Sequence, residues 1–180
     1  MGREVALRTQ GLAAPAPAWY ALRSMDAAPD VALRAELLEK TQWANEFSFA
    51  EIERLAEYLQ SRALRNGAVL FREGDRDASL FVIAQGKVAI FKAGALHKDL
   101  SIATLGPGAT IGEMALVDGQ PRSAGAVAAE DLVLLALSRA DLDRLTAEHP
   151  RLAVKVMTKV ARLLSQRLRQ TTNNLADRLG

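Results

Sequence analysis

The chain has 180 residues and no cysteine. Disulfides, thiolate metal sites and cysteine-held iron–sulfur clusters lie outside its chemistry, and this usage fits a cytoplasmic setting. Histidine is almost as scarce, with only His97 and His149. A metal-dependent enzyme on a small barrel needs clustered histidines with a carboxylate, and a haem sensor needs an axial ligand. One histidine in a strand-connecting loop and one just before Pro150 read as ordinary polar residues, so no metal is expected. No nucleophile–base pair is legible either, and catalysis is not expected. Long apolar runs are missing: none approaches the ~20 residues that span a bilayer, so no membrane partner is expected. The alanine-rich start MGREVALRTQGLAAPAPAWYALRSM is broken by Gln10, Gly11, Pro15 and Pro17, which argues against an export signal. Ala6 stands where a myristoylation motif requires Ser or Thr. Net charge is small, +2, but unevenly placed. Seven basic residues (Arg151, Lys155, Lys159, Arg162, Arg167, Arg169 and Arg178) face Asp177 alone in the last stretch. A solvated helix face accounts for this run; a contact with nucleic acid or an acidic partner is the alternative.

What is present reads as one soluble domain with appendages, large enough to bury a core. Residues 1–29 form a leader or linker, with APAPA (14–18) extended and Trp19 and Tyr20 able to dock on the domain. Residues 30–62 read as N-terminal helices. Asp30 caps a helix through VALRAELLEK, and Ser48 with Glu51 makes a capping box for FAEIERLAEYLQ, in which Ile52, Leu55 and Leu59 share a face. From 63 to 138 the period changes. AVLF, LFVIAQ, KVAIFK, LSIATL and LVLLAL are short apolar or β-branched runs punctuated by glycines. This spacing predicts an all-β jelly-roll barrel rather than a βαβ unit, with IAQGKVAI a tight hairpin about Gly86. Residues 139–180 return to the helical period. Ser138 and Asp141 form a capping pair, and Pro150 fits the first turn of a long final helix. There Ala153, Met157, Val160, Leu164, Leu168, Thr171 and Leu175 make a near-heptad stripe. It suits packing on the chain's own barrel or a two-fold seam with a second copy.

Within the barrel, IGEMALVDGQPRSA (111–124) places a lone carboxylate and a lone arginine nine residues apart. Gly112 followed by Glu-Met-Ala-Leu suggests a short helical turn at a strand end, whose free backbone N–H groups attract an anion. Asp118-Gly119 turns the chain back, so that Arg122 can approach the same space. A guanidinium beside free amides receives phosphate, whereas Glu113 is suited to accept from a hydroxyl. Together they describe a ribose phosphate, each charge-assisted hydrogen bond contributing ~1.5–3 kcal/mol in a dry site. The alternative is a surface ion pair between the two, worth ~0–1 kcal/mol.

GEMALVDGQPRSA closely resembles the phosphate-binding cassette of the cyclic nucleotide-binding domain family, of the catabolite activator type. That pattern is Gly-Glu-apolar-Ala-Leu, a variable link, then Pro-Arg-small-Ala. The resemblance extends from Phe47 to about Thr172 and takes in LFREGDRDASLFVIAQGKVAIF, where Gly74 and Gly86 match the family's turn glycines. It implies a double-stranded β-helix, or jelly-roll, barrel with N-terminal helices and a long C-terminal helix. It implies that Glu113 accepts from the ribose 2′-hydroxyl, with Gly112 presenting backbone beside it. Arg122 would bind the exocyclic phosphate oxygens, and Ala115 and Ser123 would offer backbone N–H groups there. Met114 and Leu116 would pack beneath the cassette. The Ser123 hydroxyl does not settle the base.

Two departures from the family are visible. The activator's Thr-Ser pair that touches adenine falls on Arg167 and Leu168 in a gap-free count, with Thr171 and Thr172 a turn later. The sequence after the long helix leaves no segment able to enter a major groove, so DNA is not expected as a partner of this chain. The resemblance therefore implies a non-catalytic regulatory module that binds cyclic AMP, with cyclic GMP second, and signals through its flanking helices to a dimer mate or effector protein. The alternative is a transcription regulator of the activator type that is truncated or lacks its DNA-reading head.

Overall fold

The computed structural model describes residues 30–92 and 100–179. The expectations for residues 1–29 and for His97 fall outside them. The two N-terminal helices form as their caps dictate. The Asp30 side chain accepts from the Ala32 N–H at the start of α1 (Val31–Glu39). Ser48 and Glu51 close a reciprocal capping box on α2 (Phe49–Ala56). A 3-10 turn (Gln42–Glu46) joins them.

The helical reading of α2 ran too far. Residues from Gln60 already belong to β1 (Gln60–Leu64), whose QSRAL carries little strand preference of its own. Pairing along β8, from Gln60 opposite Ala136 to Leu64 opposite Leu132, decides it.

The strands after β1 are β2 (Val69–Phe71), β3 (Ser79–Gln85), β4 (Val88–Lys92), β5 (Leu100–Leu105), β6 (Thr110–Ile111), β7 (Gly125–Ala128) and β8 (Leu132–Ser138). Two four-stranded sheets result, ordered β1-β8-β3-β6 and β2-β7-β4-β5. Strand β1 lies beside β8, β2 beside β7, β3 beside β6 and β4 beside β5, all antiparallel. The chain is thus one long antiparallel ribbon rolled into two sheets, the jelly roll the turn spacing predicts.

The expected hairpin about Gly86 is not one. Strands β3 and β4 flank that glycine yet lie in opposite sheets. Gly86 has φ 82°, and a Cβ there would stand 2.3 Å from the Asp131 carbonyl oxygen. The turn is pressed against the β7–β8 turn, where the Ala129 N–H donates to the Lys87 carbonyl at 2.9 Å. It carries the chain across from one sheet to the other.

LVLLAL reads as an unbroken apolar run because β8 is covered on both faces. Leu132, Leu134 and Ala136 pack between the sheets with Phe81, Ile83 and Val88. Leu135 and Leu137 pack outward under the helices with Leu38, Leu55 and Leu145. Each fully buried leucine contributes about 1.5–3 kcal/mol relative to exposure.

After α4 (Arg139–Glu148), capped by Ser138 as expected, α5 runs from Pro150 to Leu179. Its 30 residues correspond to a rod of about 45 Å. The stripe packs on the chain's own core along the first half of the helix only. Ala153 and Val160 are buried in the helical core, with Met157 and Leu164 half-buried against it. Leu168 and Leu175 are exposed.

The basic run is partly a clamp. Lys155 bonds Glu51 at 2.6 Å, Lys159 bonds Glu46 at 2.9 Å, and Arg162 bonds Glu46 at 2.8 Å. The two lysine ammoniums also lie over Phe47 and Trp43, which stack on each other. Both glutamate carboxyls are held below the ordinary range, first by these lysine hydrogen bonds. These pairs tie three of the run's basic residues, Lys155, Lys159 and Arg162, to carboxylates of the chain itself. Among the described residues no helix is long and apolar enough to cross a membrane.

Candidate functional site

The segment 111–124 leaves the sheet at β6, turns through Gly112 and forms α3 (Glu113–Asp118). Gly112 and Gly119 bracket that helix, both left-handed, at φ 77° and 68°. Gly112 has a second reason to lack a side chain. A Cβ there would lie 2.2 Å from Arg122 Nη1 and 2.6 Å from the Ser79 carbonyl oxygen. No side chain caps α3, so the N–H groups of its first turn have no partner within the helix.

Arg122 is buried and built into the wall. Its Nη1 donates to the Ser79 carbonyl at 2.8 Å and to the Gly112 carbonyl at 2.9 Å, and its Nη2 donates to Asp77 at 2.7 Å. The guanidinium lies 4.2 Å over the Phe71 ring. Of an arginine's five N–H groups, these bonds use three, and buried Nε has no partner. One N–H on Nε and one on Nη2 remain to engage a ligand.

The loop between β2 and β3 holds this arrangement. The Arg122 N–H donates to the Asp75 carbonyl and the Gly74 N–H to the Arg122 carbonyl. Ser79 Oγ donates to the second oxygen of Asp77. Lys92 Nζ bonds both Glu73 and the Ser123 carbonyl. The turn-rich REGDRDAS is therefore the scaffold of the arginine, a role that its acidic residues alone did not announce.

Glu113 is buried too. Its Oε1 accepts from Arg167 of α5, which also donates to the Thr110 carbonyl. Its Oε2 is buried without a partner. Glu113 and Arg122 do not pair on a surface turn, which removes that alternative. Instead both line one hollow of about 130 Å³. All six residues singled out from the sequence, Gly112, Glu113, Met114, Ala115, Arg122 and Ser123, line it. Phe71, Ile90, Leu105 and Ile111 supply its apolar wall.

One expectation fails in detail. Leu116 packs beneath the cassette as expected, but Met114 is 48% exposed and sits at the rim, its sulfur accepting from the Ser123 hydroxyl at 3.7 Å. On a six-residue helix capping the barrel, Ala115 and Leu116 face inward and their neighbour faces out. Among the described residues no cluster of His, Asp and Glu could hold a metal ion. His149 ends α4 and lies edge-on to Tyr58.

A family model for the cyclic nucleotide-binding domain matches residues 61–149. A solved cyclic nucleotide-binding domain from Methylobacillus flagellatus superposes with a TM-score of 0.72 at 33% identity, covering 82% of this chain and 83% of that one. This chain belongs to the cyclic nucleotide-binding domain family. The Thermus thermophilus catabolite activator protein shares the family fold, with a TM-score of 0.66 and 37% identity over 74% of this chain and 61% of that one. The cyclic AMP receptor protein of Thermus thermophilus is 39% identical over 120 residues, 67% of this chain and 54% of that protein. The chain spans about half the length of the first curated relatives it matches.

Proposed function

We propose that this chain is a non-catalytic regulatory module whose cassette binds a cyclic nucleotide, cyclic AMP in preference to cyclic GMP. One observation carries the reading. In a single hollow, a buried arginine Nε lacks an acceptor and a buried glutamate oxygen lacks a donor. A cyclic nucleotide offers phosphate oxygens to the first and a ribose 2′-hydroxyl to the second. The backbone N–H groups of Ala115 and Ser123 would complete the phosphate site, Gly112 would present backbone beside the sugar, and Met114 would cover the rim. Arginine suits the phosphate because its planar fork can engage two oxygens at once. Cyclic AMP takes precedence because the similar Thermus protein is a cyclic AMP receptor.

Binding would reach a partner through α5, which touches the cassette through Arg167 and bears Leu168 and Leu175 on an exposed face. That face suits a homodimer in the cytoplasm, with an effector protein downstream. A second reading, the sensor part of a transcription regulator of the activator type, is favoured by the share of the curated relatives the chain spans. Calorimetric titration with cyclic AMP and cyclic GMP side by side tests the proposal. Saturable binding of one nucleotide per chain is expected, with cyclic AMP the tighter. Heats indistinguishable from dilution with both would reject it.

A further inference from the structure

The Arg122 side of the hollow is held from two directions. On one side the β2–β3 loop grips the backbone of Arg122: its N–H donates to the Asp75 carbonyl at 2.8 Å, and its carbonyl accepts from the Gly74 N–H at 2.9 Å. On the other side stands Lys92, the last residue of β4. Its Nζ donates to the Ser123 carbonyl at 2.8 Å and to Glu73 Oε1 at 2.7 Å. Glu73 belongs to the same loop that grips Arg122. A planar trans peptide points its C=O and N–H in opposite directions. With the Arg122 carbonyl fixed on Gly74, the Ser123 N–H is turned away from the loop. With the Ser123 carbonyl fixed on Lys92, the following peptide is set as well. Ser123 is thus constrained at both of its peptides although it is exposed, and it lines the hollow beside Ala124. The Lys92 side chain is itself 53% exposed, so it buries little and its contribution lies in these two bonds.

We infer that Lys92 is a positioning residue for the nucleotide phosphate: by holding the Ser123 carbonyl it fixes the turn from which the Ser123 N–H donates. The inference rests on the reading of Arg122 and Ser123 as the phosphate donors. A donor already arranged by the protein loses less freedom when the ligand arrives, so Lys92 raises affinity without touching the ligand. Its ammonium also adds positive charge near the hollow. Salt screens that field but leaves a fixed peptide in place, and this difference separates the two contributions. Between exposed groups, the ion pair of Lys92 with Glu73 adds little to stability, so removing the lysine should leave the fold intact.

The full chain and two variants, Lys92→Met and Lys92→Arg, are titrated calorimetrically with cyclic AMP at about 0.1 M and about 1 M salt, where screening lengths are roughly 10 Å and 3 Å. Amide hydrogen exchange of the ligand-free proteins is followed in parallel, and slow exchange in β3 and β8 checks that each variant is folded. Lys92→Met should bind about three- to tenfold more weakly than wild type, by the same factor at both salt concentrations. Its segment 122–125 should exchange faster before any ligand is added. Lys92→Arg, which can donate to the same carbonyl, should recover most of the affinity and the slower exchange. Affinity of Lys92→Met equal to that of wild type would overturn the positioning role while leaving nucleotide binding intact. A loss that disappears at the higher salt would overturn it too, since Lys92 would then act only through its field, and so would a Lys92→Arg protein as weak as Lys92→Met. Binding by none of the three proteins would remove the proposed function, and the role of Lys92 with it.

Discussion

Arg122 is a pillar of the wall and, on the proposed reading, the phosphate receptor as well. Three of its N–H bonds hold the Ser79 carbonyl, the Gly112 carbonyl and Asp77, and the rest of its fork is free for an anion. Its removal is therefore not neutral for folding. Arg122→Leu takes this donor from the buried Ser79 carbonyl and the half-buried Gly112 carbonyl and should cost ~1–3 kcal/mol of stability, read as a lower midpoint in denaturant. Arg122→Lys should fold better, yet lose at least ~100-fold in nucleotide affinity because an ammonium cannot present two parallel donors. A lysine variant that binds like wild type would show that charge alone suffices. At this scale the sequence was most informative, since the six cassette residues it marked all line the hollow. It could not show that Arg122 would also be a pillar of the wall, because its partners are two backbone carbonyls and an aspartate 45 positions away. Arg167 was visible only as a departure at the position where the family touches adenine. Its partner Glu113 lies 54 residues distant, and no local pattern joins them.

Elements with strong local chemistry were legible, and those made by pairing were not. Caps at Asp30, Ser48 and Ser138, and the apolar runs of β3, β4, β5 and β8, appear where the sequence places them. Strands β1, β6 and β7 are short or small-residued, and their partners across the sheets define them. The Gly86 turn carried a hairpin pattern, and only the packing of Asp131 against it reveals a crossing between sheets. The clamp of α5 on the N-terminal helices makes a prediction about acid. Hydrogen bonds from Lys159 and Lys155 lower the carboxyls of Glu46 and Glu51 from an ordinary 4.5. A carboxyl lowered on folding contributes stability that is complete above its unfolded value and fades as pH falls through the folded one. The melting temperature should therefore hold between neutral pH and about 5 and decline below the ordinary carboxylate value. The decline should be shallower in the double variant Glu46→Gln, Glu51→Gln. An identical acid profile in that variant would place the sensitivity elsewhere.

Across the whole molecule, a rolled ribbon of two sheets presents a small hollow at one end, and a long helix both roots in the core and reaches that hollow. The exposed half of this helix suits a second copy. Light scattering at high concentration should report a dimer, and Leu168→Ala with Leu175→Ala should shift it toward monomer without lowering the midpoint of unfolding in the monomeric range. A wild-type monomer at all concentrations, with and without nucleotide, would discard the seam. The pocket itself is tested most directly by a calorimetric cycle of cyclic AMP and its 2′-deoxy analogue against wild type and Glu113→Gln. If the buried acid holds the sugar oxygen, wild type should prefer the 2′-hydroxyl form by ~10-fold or more, and the glutamine variant should lose most of that preference. Equal affinity of wild type for both nucleotides would contradict the account.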